Sequence, residues 1–258
     1  MPRFDDCPTR LADRKSLVEA TSVRSPDGFP VIATNLPADN AGGPRRGLIL
    51  SAAGVGAAPP RGFYTNLDLA LSHTADVTTL LLNRIPFDSI PDDIARLSNL
   101  RTLLLHRNGL KTLGNGFAHL ATLQSVYIGG SPALDFDNVV QALARMPLLA
   151  GVGLDDNQMG DVPRSIGSLS NCASLGLSSN DLRSLPNEIG RLAKLKSLDL
   201  YNNRLHRLSN ALLSLPSLER IYVRESGLSA DQLDALRSKH PSTKFDETLP
   251  PELYLKLG

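Results

Sequence analysis

The sequence predicts an α/β solenoid, in which a curved parallel β-sheet on the concave side is joined by short helices and turns on the convex side. Three observations predict it. Two nearly identical phrases, ASLGLSSNDLRSLPNEIGRL from Ala173 and KSLDLYNNRLHRLSNALLSL from Lys196, begin 23 residues apart. The same apolar spacing returns at seven positions in one register. A unit of this size cannot form a core alone, so the units must stack.

The strand of each repeat is predicted from alternating apolar residues. Relative to each repeat start, apolar residues stand at offsets three and five, as Leu175 and Leu177 do after Cys172. Alternation with a period of two places these side chains on one face of a short strand. The starts are separated by steps of 23, 23, 26, 23, 23 and 23 residues, at Val77, Leu100, Leu123, Leu149, Cys172, Leu195 and Leu218.

The second half of each repeat brings the chain back to the next strand. Offset eight is asparagine at Asn108, Asn157, Asn180 and Asn203. At the bend after a strand, an asparagine amide can bind backbone groups that have left the sheet. Segments such as SLPNEIGRL then predict a turn that begins at proline and buries Ile and Leu. The step of 26 residues contains DFDNVVQALARMP, which predicts a fuller helix capped by Asp135 or Asp137.

These motifs resemble the leucine-rich-repeat family, L-x-x-L-x-L-x-x-N-x-L, over about residues 65–245. The L-P-x-x-I-x-x-L half is similar to the 23-residue subclass of Ras-group and bacterial effector members. The resemblance implies a scaffold for protein–protein interaction. Related bacterial ubiquitin ligases carry a catalytic cysteine in a separate C-terminal domain, so we expect no ligase activity in these residues.

The predicted organisation has three parts. Residues 1–62 form an irregular N-terminal arm with a strand and turn near 48–58. Residues 63–245 form the solenoid, with an N-terminal cap helix over 63–75 and a C-terminal cap over 228–245. The C-terminal cap is indicated by Ser229 and Gln232 at capping-box spacing, and a short strand TKF follows it. Residues 246–258 form a tail.

Composition narrows the partners and the compartment. Lys and Arg number 27 against 26 for Asp and Glu, which disfavours nucleic acid or an anionic membrane as the main partner. Two cysteines make no disulfide framework, and the N-terminus lacks a secretory signal pattern. The longest apolar stretch, GLILSAAGVGAAPP, is too short to span a bilayer. We expect a cytoplasmic monomer without cofactor or metal, exported into a host cell if it is an effector.

The sequence offers little for catalysis, and we predict that the chain is not an enzyme. No G-x-S-x-G motif is present, so the turn at Gly54–Gly56 supports an α/β-hydrolase-like remnant or a phosphate loop only weakly. Cys172 occupies a core position, and Cys7 lies in the N-terminal arm, where nothing indicates a lowered pKa. The histidines fall at surface offsets without ligand spacing. Asp155 and Asp156 are expected to form a solvated acidic rim.

The concave face is the predicted partner site. Residues at offsets two, four and six point away from the core, along a trough of about 30 Å for strands spaced at about 4.8 Å. Its N-terminal part is predicted to expose leucines, and its middle carries the small residues Gly and Ser. Its C-terminal part carries Tyr and Arg, the residue types that contribute most to binding energy at interfaces. The predicted contact residues are Leu81, Leu104, His106, Tyr127, Tyr201, Tyr222, Arg220 and Arg224.

Two functional hypotheses remain beside a non-catalytic module that binds a protein partner. One is the substrate-recognition part of a bacterial type III effector, with residues 1–40 as an export arm. In this hypothesis the effector either works with a ubiquitin ligase or acts without one. The other, of a different class, is a hydrolase that uses the turn at Gly54–Gly56.

Overall fold

The computed structural model describes residues 21–24, 30–35, 46–48, 61–84, 87–207 and 209–246. The chain divides into two compact units. The first contains an antiparallel sheet of three short strands, in the order β1 (Thr21–Arg24), β2 (Pro30–Asn35) and β3 (Arg46–Leu48). These strands lie within residues 1–62, for which the sequence predicts an irregular arm, and the β-branched residues of TSVR and PVIATN favour strand pairing. The predicted turn at Gly54–Gly56 lies outside the described residues.

The second unit contains a parallel sheet to which the described residues contribute nine strands in sequential order. Each strand pairs with the equivalent strand of the next repeat, so that Leu175 stands beside Leu198. The strands are β4 (Phe63–Tyr64), β5 (Thr79–Asn83), β6 (Thr102–His106), β7 (Ser125–Gly129), β8 (Gly151–Gly153), β9 (Ser174–Gly176), β10 (Ser197–Asp199), β11 (Arg220–Tyr222) and β12 (Lys244–Asp246).

The return segments are mostly single turns of 3₁₀ helix. They span Asp92–Arg96, Gly116–His119, Arg164–Ser168, Asn187–Arg191 and Leu212–Ser214. Prolines stand directly before three of them, where a fixed φ suits entry into a helix. The longer repeat forms the helix α2 (Phe136–Leu143), and Asp135 caps it by accepting from Asn138 N at 3.1 Å. The three additional residues therefore convert a single turn into a true helix.

The leucine positions form one continuous core. Leu103, Leu175 and Leu198 are fully buried and belong to the same cluster as the isoleucines of the return segments. Cys172 is buried at a leucine position, as predicted. Burial of each such side chain contributes roughly 1.5–3 kcal/mol, so stacking rather than local propensity stabilises the solenoid.

The asparagines at offset eight form a hydrogen-bonded ladder beneath the strand ends. Asn180 Nδ2 donates to the carbonyl of Leu154 in the preceding repeat at 2.7 Å. Asn180 Oδ1 accepts from Asn157 N at 3.0 Å, and Asn203 Oδ1 accepts from Asn180 N at 3.2 Å. The amides bind backbone groups after the strands, as the sequence pattern predicted, and each asparagine also links its own repeat to the one before it.

The two ends of the solenoid are helical, although one boundary differs from the prediction. The N-terminal helix α1 covers only Leu67–Ser72, with Asn66 as its cap. Phe63 and Tyr64, which lie within the helix predicted from the sequence, instead pair with β5 as strand β4 and continue the register of the sheet. The C-terminal helix α3 (Ala230–Lys239) begins with the predicted capping box at Ser229. Residues 247–258 of the tail lie outside the described residues.

Candidate functional site

The candidate site is the face of the nine-stranded sheet that points away from the leucine core, which we call the distal face. It carries the residues at offsets two, four and six of each repeat. Leu81, Leu104 and Tyr222 are buried but stand outside the core cluster, which fits side chains that point to this face. The sheet thus separates a core face of leucines from a face of mixed chemistry.

The N-terminal part of the distal face is less exposed than predicted. Leu81 and Leu104 are each 6% exposed, so the expectation that they present apolar surface is wrong. The reason is their register, because Leu81, Leu104 and Tyr127 are direct neighbours on adjacent strands and cover one another. Only Tyr127 remains partly exposed in this row.

His106 is buried as well, contrary to the expectation that it lies at the surface. It is 3% exposed, and its Nδ1 lies 2.9 Å from the position that a Cβ at Gly129 would take. Burial, with the charges of Arg107 and Arg84, lowers the pKa of His106 to about 4. The ring is therefore neutral at pH 7, and its Nε2 has no hydrogen-bond partner in the part of the chain that the structure describes.

The C-terminal part of the face brings together the predicted tyrosines and arginines. Arg220 Nη1 lies 3.4 Å from the hydroxyl of Tyr222, which is only 2% exposed and so cannot present the surface predicted for it. Arg224 is exposed, and its Nε lies 3.3 Å from Glu225 Oε1. Tyr201 is partly exposed, and burial together with the charge of Glu225 raises its pKa. Tyr201, Arg220 and Arg224 remain accessible here.

The middle of the distal face holds a feature that the sequence did not reveal. Asp155, expected in a solvated rim, leans over strand β9, where its Oδ1 accepts from both the backbone N and the hydroxyl of Ser178, at 2.8 and 2.9 Å. A Cβ at Gly176 would lie 2.6 Å from Asp155 Oδ2, so only glycine permits this position. Glycine at offset four in two adjacent repeats, Gly153 and Gly176, was the available signal.

A second carboxylate lies beside the first. Asp199 pairs in register with Gly176 and is fully buried. Its Oδ1 accepts from Tyr201 N at 2.8 Å, whereas its Oδ2 has no partner among the described residues. Burial raises the pKa of Asp155 to about 6, and burial with repulsion from Asp155 raises the pKa of Asp199 well above its usual range.

Cys172 and the possible metal ligands are the other chemically versatile groups among the described residues. Cys172 is buried, and burial raises the pKa of its thiol to about 12, so it is a poor nucleophile. Among residues 61–84, 87–207 and 209–246, no group of three His, Cys, Asp or Glu could hold a metal ion. No helix in the described ranges is long and apolar enough to cross a membrane.

The parallel sheet, the turns at 23-residue spacing and the asparagine ladder together define a leucine-rich-repeat solenoid. A sequence profile described as "Leucine rich repeat" matches residues 170–228, and solved leucine-rich-repeat structures share the fold. No curated protein matches the chain.

Two solved bacterial structures are similar at moderate identity. A leucine-rich-repeat protein of Leptospira interrogans is 26% identical with a TM-score of 0.59, and the match covers 71% of this chain and 46% of that one. The leucine-rich-repeat domain of the type III effector XopL is 27% identical with a TM-score of 0.53, over 62% of this chain and 57% of that one. The chain thus spans about half the length of these structures.

A third structure supports the fold alone. An internalin of Listeria monocytogenes is 18% identical with a TM-score of 0.51, and the match covers 72% of this chain and 58% of that one.

Proposed function

We propose that this chain is a non-catalytic module that binds a protein partner on the distal face of its solenoid, the concave side in the sequence prediction. The observation that carries the proposal is that the two faces of the sheet differ. One face is buried in the leucine core, whereas the other carries the partly exposed Tyr127, Tyr201 and Arg220 and the exposed Arg224. Tyrosine and arginine contribute most of the binding energy in many interfaces.

The contact surface in this proposal is smaller than the sequence predicted. Leu81, Leu104, His106 and Tyr222 are buried, so they support the neighbouring side chains rather than contact a partner. Asp155 and Asp199 form an acidic centre on this face. Tyr127 lies on one side of this centre, and Tyr201 and Arg224 lie on the other. A partner would therefore cross the sheet and contact the strands from β7 to β11.

Affinity capture followed by mass spectrometry tests this proposal. The bait is the full chain, compared with the variant Tyr127→Ala/Tyr201→Ala. Leu69→Ala is the matched control, because Leu69 is 52% exposed in α1 and lies outside the sheet. We expect the double variant to lose the specifically captured protein and the control to retain it, with circular dichroism unchanged in both. Equal capture by all three baits would contradict the proposal.

A second candidate is that the module recognises a target for a bacterial effector, inside a host cell. The likeness to the leucine-rich-repeat domain of XopL favours it. Fusing residues 1–40 to a reporter and measuring type III export tests this candidate. If the reporter is retained in a secretion-competent strain that exports a known effector fusion, the candidate fails.

A further inference from the structure

The starting observation is a buried carboxylate oxygen without a donor. Asp199 is fully buried, and its Oδ2 has no hydrogen-bond partner among the described residues. A buried ionisable group normally has its hydrogen bonds or a countercharge, so an unsatisfied one indicates either strain or a missing ligand. The described Lys and Arg ion pairs involve other acids, such as Glu219 and Asp181.

The surroundings of Asp199 bring a second carboxylate to the same place. Asp155 lies over Gly176, with its Oδ2 and Oδ1 at 2.6 and 3.0 Å from the position of a Cβ there. Because Gly176 is the register neighbour of Asp199, the two carboxylates occupy adjacent positions across strands about 4.8 Å apart. Ser178 satisfies Oδ1 of Asp155, which leaves Oδ2 turned toward the glycine floor.

An aromatic ring forms the third wall, and this observation is independent of the acids. A Cβ at Gly153 would meet Tyr127 Cδ1 at 2.5 Å and Asp155 Oδ2 at 3.2 Å. The ring of Tyr127 and the carboxylate of Asp155 therefore meet above the same glycine. An aromatic face and two carboxylates all attract positive charge, by the ring quadrupole and by direct ion pairing.

We propose that Tyr127 and Asp155, which cover Gly153 and Gly176 and have the buried Asp199 beside them, form a subsite that binds a Lys or Arg side chain of the protein partner. The proposal rests on the proposed function, since the partner must lie on the distal face. A partner cation contacts Asp155, which is partly exposed, and its positive charge offsets the charge of Asp199, which is fully buried beside it. The two acids thus determine specificity for a basic residue at the centre of the bound segment.

The titration of the pair supports this assignment. Burial raises the pKa of Asp155 to about 6, and the pKa of Asp199 is raised by burial and by Asp155. A partner cation favours the charged forms, so its binding strengthens as pH rises through about 6. The other titratable groups beside the pair are Asp156 in the same loop and Tyr201 after β10, with His106, neutral at this pH, on β6.

The test uses a phage-displayed library of random 12-residue peptides, selected on the full chain at pH 7.5. We expect the enriched peptides to share a basic residue. For the tightest synthetic peptide, replacing that residue with norleucine should weaken Kd at least tenfold against the unaltered chain. The same replacement should change Kd less than threefold against Asp155→Asn/Asp199→Asn. Asp161→Asn, an exposed acid of the same repeat, is the matched control and should behave as the unaltered chain.

A second readout separates binding from a structural role. Asp155→Asn/Asp199→Asn should melt no lower than the unaltered chain, because it removes two repelling charges and keeps the Ser178 acceptor. Its Kd for the peptide should also lose the strengthening between pH 5.0 and 7.5. A lower melt together with unchanged Kd would show that the pair is only structural and would overturn the proposal.

The remaining outcomes distinguish the two proposals. If the selected peptides lose binding in Tyr201→Ala but are insensitive to the two Asp substitutions, the subsite is wrong and the proposed function stands. If no peptide is enriched, or binding is insensitive to Tyr127→Ala and Tyr201→Ala as well, both are wrong. If millimolar Ca²⁺ alone stabilises the unaltered chain and not the double Asp variant, the occupant is a divalent cation and the proposal is overturned.

Discussion

Replacing Asn180 with alanine tests whether the asparagine ladder holds adjacent repeats together. Asn180 Nδ2 donates to the carbonyls of Leu154 and Ser178, at 2.7 and 3.1 Å, and its Oδ1 accepts from Asn157 N at 3.0 Å. Alanine removes all three bonds. It leaves the carbonyl of Leu154 and the N–H of Asn157 without these partners, in a region where Asn157 and Asn180 are fully buried.

The expected loss of stability follows from those two backbone groups. A buried donor or acceptor left without a partner costs about 1–3 kcal/mol, so Asn180→Ala should reduce the free energy of unfolding by about 2–6 kcal/mol. The matched control is Asn187→Ala, at an exposed position in the next 3₁₀ turn. A surface substitution of this kind should change the free energy of unfolding by no more than about 0.5 kcal/mol.

Urea unfolding followed by circular dichroism measures both variants. At an unchanged m-value, the midpoint should fall for Asn180→Ala and stay in place for the control. If the two variants unfold at the same midpoint, the bonds from Asn180 are not what links the repeats, and the ladder has no more than a local role.

Three further predictions concern the core and the acidic centre. Leu198→Ala should destabilise by about 2–5 kcal/mol in urea unfolding, because its side chain is fully buried, whereas Leu148→Ala, at 53% exposure, should be nearly neutral. Gly176→Ala should destabilise by about 1–3 kcal/mol, since its Cβ would lie 2.6 Å from Asp155, and the loss should shrink in an Asp155→Ala background. The raised pKa of Asp155 and Asp199 means that the folded state binds protons more tightly than the unfolded state, so their contribution to stability falls as pH rises from about 4 to 6. Asp155→Asn/Asp199→Asn should remove that part of the pH dependence, and an unchanged profile would contradict it.

The repeat spacing was sufficient to predict the fold. Leucine at offsets three and five fixes which strand face is buried, and a constant step fixes which residues become neighbours. The spacing alone therefore predicts that Leu175 and Leu198 are neighbours, as they are in the structure. The capping box at Ser229 could also be predicted from the sequence, because it depends on two residues that are only three positions apart.

The distal face could not be predicted to the same depth. Sequence spacing shows that Leu104 points away from the core, but its exposure depends on the bulk of Leu81 and Tyr127 on either side. The position of Asp155 depends on the absence of a side chain at Gly176, which belongs to the next repeat. Lateral contacts of this kind combine residues of different repeats, so no single repeat contains the information.

The distribution of unsatisfied polar groups connects stability with function in this chain. The ladder asparagines Asn157, Asn180 and Asn203 are buried with their amides fully engaged. On the distal face, by contrast, His106 Nε2 and Asp199 Oδ2 are buried without partners among the described residues. Ser131, which replaces an asparagine in the ladder, also has an unpartnered hydroxyl, yet a neutral hydroxyl costs far less than a carboxylate. A stacking scaffold has no structural need for a buried charged pair, and two asparagines would fill the same space with less repulsion. The cost is therefore best understood as one that a bound positive charge offsets, which is why the Asp155→Asn/Asp199→Asn variant should gain stability and lose its preference for a basic residue together.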